Sequence, residues 1–216
     1  SRMNYSSRKK NKIVKYIVIH YTGMKNLNLA YKKLSDNQSK VSSHYLISRN
    51  GKILNLLCPK FKAWHAGESK WNNHVNINEY SIGIELENKG HEHGYSNFTT
   101  NQYISLKKII KFLKNNFYII DRNIIYHSDI SPNRKLDPGE KFDIKKIEVR
   151  RFEHIKKQNK NYSLEQMLIL YGFHLSYVKN HKNYCIKSVK RSLNYNKITS
   201  KVTKNFIKDF NNLIFK

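Results

Sequence analysis

The chain has 216 residues, enough for one medium domain or for one domain plus a small helical module. A composition of 39% hydrophobic and 12% aromatic residues, with only 3 Pro and 8 Gly, excludes a disordered chain or a low-complexity linker. The 41 Lys+Arg against 15 Asp+Glu give a net charge of +26, which points toward polyanions such as nucleic acid, anionic lipid or cell-wall polymer and says little about fold.

Residues 1–12 are basic and polar and read as a loose arm. Ile13 to His20 is β-branched and nearly continuous in hydrophobicity, as a buried strand is. Residues 26–38 have helical spacing, with Leu27, Ala30, Tyr31 and Leu34 on one face. Residues 43–48 and 52–57 flank Asn50-Gly51 and predict a hairpin. A loop with Trp64-His65-Ala66-Gly67 precedes a strand from Tyr80 to Glu87. Thr99 with Gln102 reads as a capping box that opens a helix running to about Asn116. Asn123 to Tyr126 is a short strand ending at His127, and residues 128–140 form a loop. Helices interleaved with strands predict an α/β sandwich with a mixed sheet. The composition changes near residue 155, and three short helices are expected beyond it, one of them ending at Gly172. Three domains or segments follow: an arm at 1–12, a sheet domain at 13–150 and a helical domain at 155–216.

Of the ten histidines, His74, His91 and His93 lie in polar stretches and read as solvated loop residues. His154, His174 and His181 fall in the basic C-terminal third. His20 and His127 differ, because each ends an apolar strand, and Asp137 follows in a Pro/Gly loop. Open α/β sheets place their sites at strand ends and in the loops after them. Two imidazoles and a carboxylate also form a competent zinc set that leaves the fourth tetrahedral position for water. Spacing alone leaves open that each histidine is a satisfied structural residue. Glu85 shares a strand face with Gly83 and Glu87, opposite Ile82, Ile84 and Leu86. It reads either as a solvated edge carboxylate or as a base.

Five stretches occur in order: Ile17 to Thr22, Ser42 to Ile47, Trp64 to Gly67, Ser81 to Glu87, and His127 to Gly139. Together they resemble the AmpD/AmiD branch of the N-acetylmuramoyl-L-alanine amidases, whose fold phage amidases and animal peptidoglycan recognition proteins share. The resemblance covers roughly residues 13–147. It implies a zinc enzyme that cuts between the muramoyl lactyl group and L-alanine of peptidoglycan, with His20, His127 and Asp137 as metal ligands. It implies Glu85 as general base, Lys135 as oxyanion stabiliser, and Trp64, His65 and His44 at the substrate groove. Ser43 stands where the phage enzymes carry a tyrosine, which leaves the base role to Glu85. The short span between Thr22 and Ser43 and the helical segment at 155–216 place the resemblance nearer AmiD, whose C-terminal domain binds peptidoglycan.

The expected partner is therefore peptidoglycan or a muropeptide, with no specific nucleic acid and no transmembrane span. The alternatives are a catalytically inactive peptidoglycan-binding protein on the same fold, a nucleic-acid binder, and a hydrolase of another amide. A cell-envelope or periplasmic location is expected, with the cytoplasm as the alternative, because Ser1-Arg2 ahead of Met3 reads as a cloning remnant and leaves the native leader open. Cys58 and Cys185 form no metal or redox motif, and a monomer is expected.

Overall fold

The computed structural model describes residues 4–152 and 161–215. Its elements in chain order are β1 (Tyr5–Ser7), β2 (Tyr16–Tyr21), α1 (Leu27–Ser35), β3 (Tyr45–Ile47), β4 (Ile53–Asn55), β5 (Phe61–Ala63), β6 (Lys70–Trp71) and β7 (His74–Val75). They continue as β8 (Ser81–Leu86), α2 (Gly90–His93), α3 (Thr100–Phe117), β9 (Ile124–Tyr126), α4 (His127–Ile130), α5 (Leu164–Tyr171), α6 (Leu175–Asn180), α7 (Lys182–Ser192) and α8 (Lys204–Ile214).

Among the described residues, five strands form the central sheet in the order β4-β3-β8-β2-β9. The pairings of β2 with β8 and β9, and of β3 with β8, are parallel, while the β3–β4 hairpin is antiparallel. The sheet is mixed, as the alternation of elements predicts. Strands buried on both faces explain the near-continuous apolar reading of β2. Its Ile17 and Ile19 join Ile82, Ile84 and Leu86 in a core roofed by Leu106, Ile110 and Leu113 of α3. The opposite face of β2, with Tyr16 and Val18, packs with Trp71, Met167, Tyr171 and Phe210. The C-terminal helices thus cover one face of the sheet and α3 the other.

Local chemistry sets the element ends. Thr99 and Gln102 form the reciprocal capping box at the start of α3, and Ser163 with Gln166 does the same for α5. Gly51 takes the positive φ that the hairpin turn requires. Gly172 closes α5 for a second reason as well. A Cβ there would lie 2.3 Å from Trp71, so only glycine lets the indole pack under the helix end.

Two features differ from the sequence reading. The basic arm is not loose from Asn4 onward: β1 pairs antiparallel with β5. Arg8 spends its guanidinium on four backbone carbonyls, those of Pro59, Asn78, Glu79 and Ser81. A side chain that joins two distant loops leaves no periodic signal in its own segment. Four helices rather than three follow residue 160 among the described residues, because α6 (Leu175–Asn180) precedes the second expected helix, at residues 184–193, which corresponds to α7. The boundary expected near residue 155, and His154, lie outside the described residues.

The helical segment is also bolted to the sheet by buried charge. Asp129 on α4 is fully buried. Its carboxylate accepts from Arg151 Nη2 at 2.7 Å, the Tyr126 backbone N–H at 3.0 Å, the Tyr171 hydroxyl at 3.1 Å and Ser188 Oγ at 3.0 Å. Arg151 in turn lies over the rings of Tyr126, Phe152 and Tyr171. Breaking such a pair strands a buried charge, which typically costs ~3–5 kcal/mol. Arg151→Ala is expected to lower the urea unfolding free energy by that amount. A loss below ~1 kcal/mol, the range of exposed pairs, would show that the network carries no such weight.

Candidate metal centre and active-site groove

The parallel register of β2 on β8 sets His20 beside Glu85. β9 lies on the other side of β2 and runs directly into α4, which opens with His127. The loop after α4 folds back, with the Ser128 N–H donating to the Asp137 carbonyl at 2.9 Å. These three connections bring residues 107 and 117 positions apart into contact.

Among the described residues, His20, His127 and Asp137 form a buried group able to hold a metal ion. His20 Nδ1, His127 Nδ1 and Asp137 Oδ2 stand 3.0 Å from one another. The proton positions follow from groups with a single role. The Ala66 carbonyl can only accept, so His127 Nε2 at 3.2 Å carries the proton and Nδ1 is a lone pair. The Ser81 hydroxyl donates to the Ile77 carbonyl at 2.7 Å, so it accepts from His65 Nε2 at 3.1 Å. His65 Nδ1 is then an acceptor and takes the His20 Nε2 proton at 3.0 Å, which leaves His20 Nδ1 as a lone pair.

Three lone pairs therefore converge. Such a set repels itself unless a cation sits among them. Tetrahedral ligands ~2.0–2.1 Å from zinc lie ~3.3 Å apart, close to the separations seen here. The residues fit a zinc ion. Burial, reinforced by His127, holds His20 down at a pKa of about 4, so it stays neutral.

The cluster forms the floor of an open groove of about 410 Å³. Glu85, Lys135, Trp64 and His65 line it with the three ligand candidates. Glu85 Oε2 is buried without a hydrogen-bond partner among the described residues. Burial, and then the charge of Asp137, push its pKa well above the ordinary carboxylate value, with Lys135 opposing. An orphaned carboxylate oxygen at a groove floor is suited to a ligand or water. Trp64 is held by its indole N–H on Ser6 of β1 and by its backbone N–H on Ser42. A Cβ at Gly83 would lie 2.5 Å from the His65 ring, so glycine there gives the imidazole its seat.

His44 is placed differently from the other residues singled out in the sequence. It is fully buried, and both ring nitrogens are committed. Nδ1 accepts from the Gly83 N–H at 3.0 Å and Nε2–H donates to the Phe61 carbonyl at 3.1 Å. It joins β3, β5 and β8 and is not among the groove-lining residues. His91 is exposed, as its polar stretch predicts, but it lies on the short α2 rather than in a loop and lines the groove together with Tyr21. Nothing in its polar surroundings marks it. Ser81 was in principle legible, because it shares its strand face with Gly83 and Glu85.

An α/β sandwich whose groove floor is a buried two-histidine, one-aspartate cluster defines a candidate metal centre. The chain belongs to the N-acetylmuramoyl-L-alanine amidase family (Amidase_2), which matches residues 9–140. It is 40% identical over 107 residues to the 1,6-anhydro-N-acetylmuramyl-L-alanine amidase AmpD of Haemophilus influenzae, covering 49% of this chain and 56% of that protein. It is 38% identical over 141 residues to the N-acetylmuramoyl-L-alanine amidase AmiD of Escherichia coli, covering 60% and 50%. The chain thus spans about half the length of these curated relatives. The solved E. coli AmiD in complex with anhydro-N-acetylmuramic acid-L-Ala-D-gamma-Glu-L-Lys shares its fold, with a TM-score of 0.76 at 23% identity over 98% of this chain and 97% of that one.

Burial of His44 makes stability depend on pH. The folded state holds its pKa at about 3, whereas an unfolded imidazole binds a proton below ~6.5. The stabilising contribution is complete above ~6.5 and is lost as pH falls toward 3, by up to ~1.4 kcal/mol per pH unit. His44→Gln is therefore expected to show a shallower loss of urea-unfolding free energy between pH 6.5 and 4 than the parent. Parallel curves would place the acid sensitivity elsewhere.

Proposed function

We propose that this chain is a zinc-dependent N-acetylmuramoyl-L-alanine amidase that hydrolyses the amide between muramic acid, or its anhydro form, and L-alanine of the stem peptide. The observation that carries the reading is the convergence of three lone pairs from His20, His127 and Asp137 beside an unpartnered Glu85. Family membership and the names of the AmpD and AmiD relatives support it.

His20, His127 and Asp137 would hold the ion, and a zinc ion so bound supplies a Lewis acid that brings water toward a pKa of ~7. Glu85 takes the proton from the attacking water and returns it to the departing alanine nitrogen. Its raised pKa suits a group that must carry that proton between the two steps. Lys135, on the groove wall, meets the oxyanion that develops as the carbonyl carbon becomes tetrahedral. His65 accepts the hydrogen bond from His20 Nε2–H and so keeps the other ring nitrogen turned to His127 and Asp137. Trp64 supplies an apolar wall for the sugar or peptide.

The AmiD-like form of this function has two supports. The alignment with AmiD runs over 141 residues, against 107 with AmpD, and the fold likeness to AmiD extends over 98% of the chain. The helical segment is assigned a part in holding polymeric substrate, since a small cavity lined by Arg134, Ser176, Asn180 and His181 adjoins the groove through Arg134. The excess of basic residues suits an anionic wall polymer, so added salt is expected to weaken binding. Among the described residues no helix is long and apolar enough to cross a membrane. We assign the enzyme to the cell envelope.

Digestion of purified muropeptides followed by mass spectrometry tests the reaction. Separate lactyl-sugar and stem-peptide masses, abolished by a chelator and restored by zinc, are expected. No cleavage by folded, zinc-loaded protein would instead favour an inactive peptidoglycan-binding protein. Glu85→Ala is expected to keep stoichiometric zinc and to lose ~10²–10⁴ in kcat, whereas His127→Ala loses the metal. Lys135→Ala is expected to cost ~10²–10³ in kcat with zinc retained. Near-normal turnover of Glu85→Ala would remove that residue from the base role.

A further inference from the structure

One wall of the groove carries a second chain of titratable side chains that the proposed hydrolysis does not use. Tyr21 follows His20 at the end of β2, and its hydroxyl lies 2.9 Å from His91 Nδ1. His91 Nε2 lies 3.2 Å from Glu140 Oε2. Tyr21 and His91 both line the groove. The imidazole is fixed from its face as well, stacked on Tyr95 with centroids 4.3 Å apart and planes at 24°. The Tyr95 hydroxyl donates to the Pro138 carbonyl at 2.7 Å and accepts the Lys141 N–H at 2.9 Å. The loop beyond Asp137 is thereby tied to this wall.

Two glycines make room for the arrangement. Gly90 has φ +71°, and a Cβ there would lie 2.7 Å from Tyr21 Cε2. Gly139 has φ +82°, and a Cβ would lie 2.5 Å from the Tyr95 hydroxyl and 2.9 Å from His91 Cε1. Either side chain would dislodge a ring of the relay.

The direction of the protons follows from the carboxylate. Ionised Glu140 can only accept, so His91 Nε2 carries the proton, and in the neutral imidazole Nδ1 is the acceptor. The phenolic proton of Tyr21 is then directed to His91. What Tyr21 has left to offer the groove is the lone-pair capacity of its oxygen. We propose that Tyr21, oriented by His91 and Glu140, is a specificity residue that accepts a hydrogen bond from an N–H donor of the stem peptide. The peptide bound to the E. coli relative, L-Ala-D-gamma-Glu-L-Lys, offers two kinds of such donor, its backbone amides and the lysine ammonium. The proposal rests on the amidase reading.

The test is steady-state kinetics of the zinc-loaded full chain on a muramoyl-L-Ala-D-gamma-Glu-L-Lys substrate. Tyr21→Phe is expected to raise KM about tenfold, the worth of one good hydrogen bond, with kcat within about twofold and zinc stoichiometry unchanged. In Glu140→Gln the side-chain amide can donate to Nε2, which lets the imidazole proton move to Nδ1 and turns the phenolic proton toward the groove. KM is then expected to rise in the parent and to stay unchanged in the Tyr21→Phe background. Replacing the substrate lysine with norleucine separates the donors: if the ammonium binds, the modified substrate reproduces the Tyr21→Phe KM, and if a backbone amide binds, it does not. An unchanged KM in Tyr21→Phe, or independent multiplying effects of the two substitutions, overturns the proposal. Should the parent show no turnover at all, the amidase reading fails separately, and the Kd of the same muropeptide by calorimetry carries the same comparison.

Discussion

Parallel pairing of β2 with β8 is the constraint on which the rest of the molecule depends. It fixes His20 opposite Glu85 in register, on the face shared by Tyr16 and Val18, and a slip of one residue in either strand would turn that strand's member of the pair into the α3 core. The alternate residues Ile17, Ile19, Ile82, Ile84 and Leu86 bury themselves against α3. Burying each such side chain is worth about 1.5–3 kcal/mol relative to exposure. Apolar burial on one face therefore holds polar chemistry in place on the other. Gly83 belongs to the same register: the missing side chain gives His65 its seat, and His65 fixes the protonation of His20.

The arm and the C-terminal helices support the groove from outside the sheet. β1 pairs with β5 in a separate two-stranded sheet, and Arg8 and Ser6 brace the loops that carry Asn78 and Trp64. On the other side, Asp129 ties α4 to Arg151, Tyr171 and Ser188. Since α4 begins with His127, the helices bear on the position of a ligand candidate. The helical segment shares one hydrophobic core with the sheet, and the polar network lies within that core. Satisfying every hydrogen-bonding position of a buried carboxylate is what makes its burial tolerable.

Charge is distributed in two regimes. Most of the +26 excess lies on solvated lysines, where it acts over distance and is screened by salt. The groove floor is the opposite case, with a few buried groups whose protonation is held far from its solution values. His20 and His65 are kept neutral chiefly by burial, and burial likewise raises the pKa of Glu85. A cation entering that floor meets three lone pairs already aimed at it, with little rearrangement left to make.

The sequence by itself determined what depends on local periodicity and local chemistry. The apolar run ending at His20, the Thr99–Gln102 capping box, the Asn50-Gly51 turn and the helix stop at Gly172 each have their cause within a few residues. The ordered motifs likewise single out His20, His127 and Asp137, which the fold gathers into one cluster. Tertiary structure decided what depends on partners far along the chain. His44 sits in a motif with groove residues yet serves as a strut, because its partners Phe61 and Gly83 come from two other strands. His91 stands in a polar stretch yet reaches the groove, because Tyr21 lies 70 residues earlier and Glu140 lies 49 residues later. Arg8 and Asp129 likewise find their roles only through loops and helices that fold over them. A hydrogen-bond partner at such separations leaves no mark on spacing or composition, so only the folded chain reveals it.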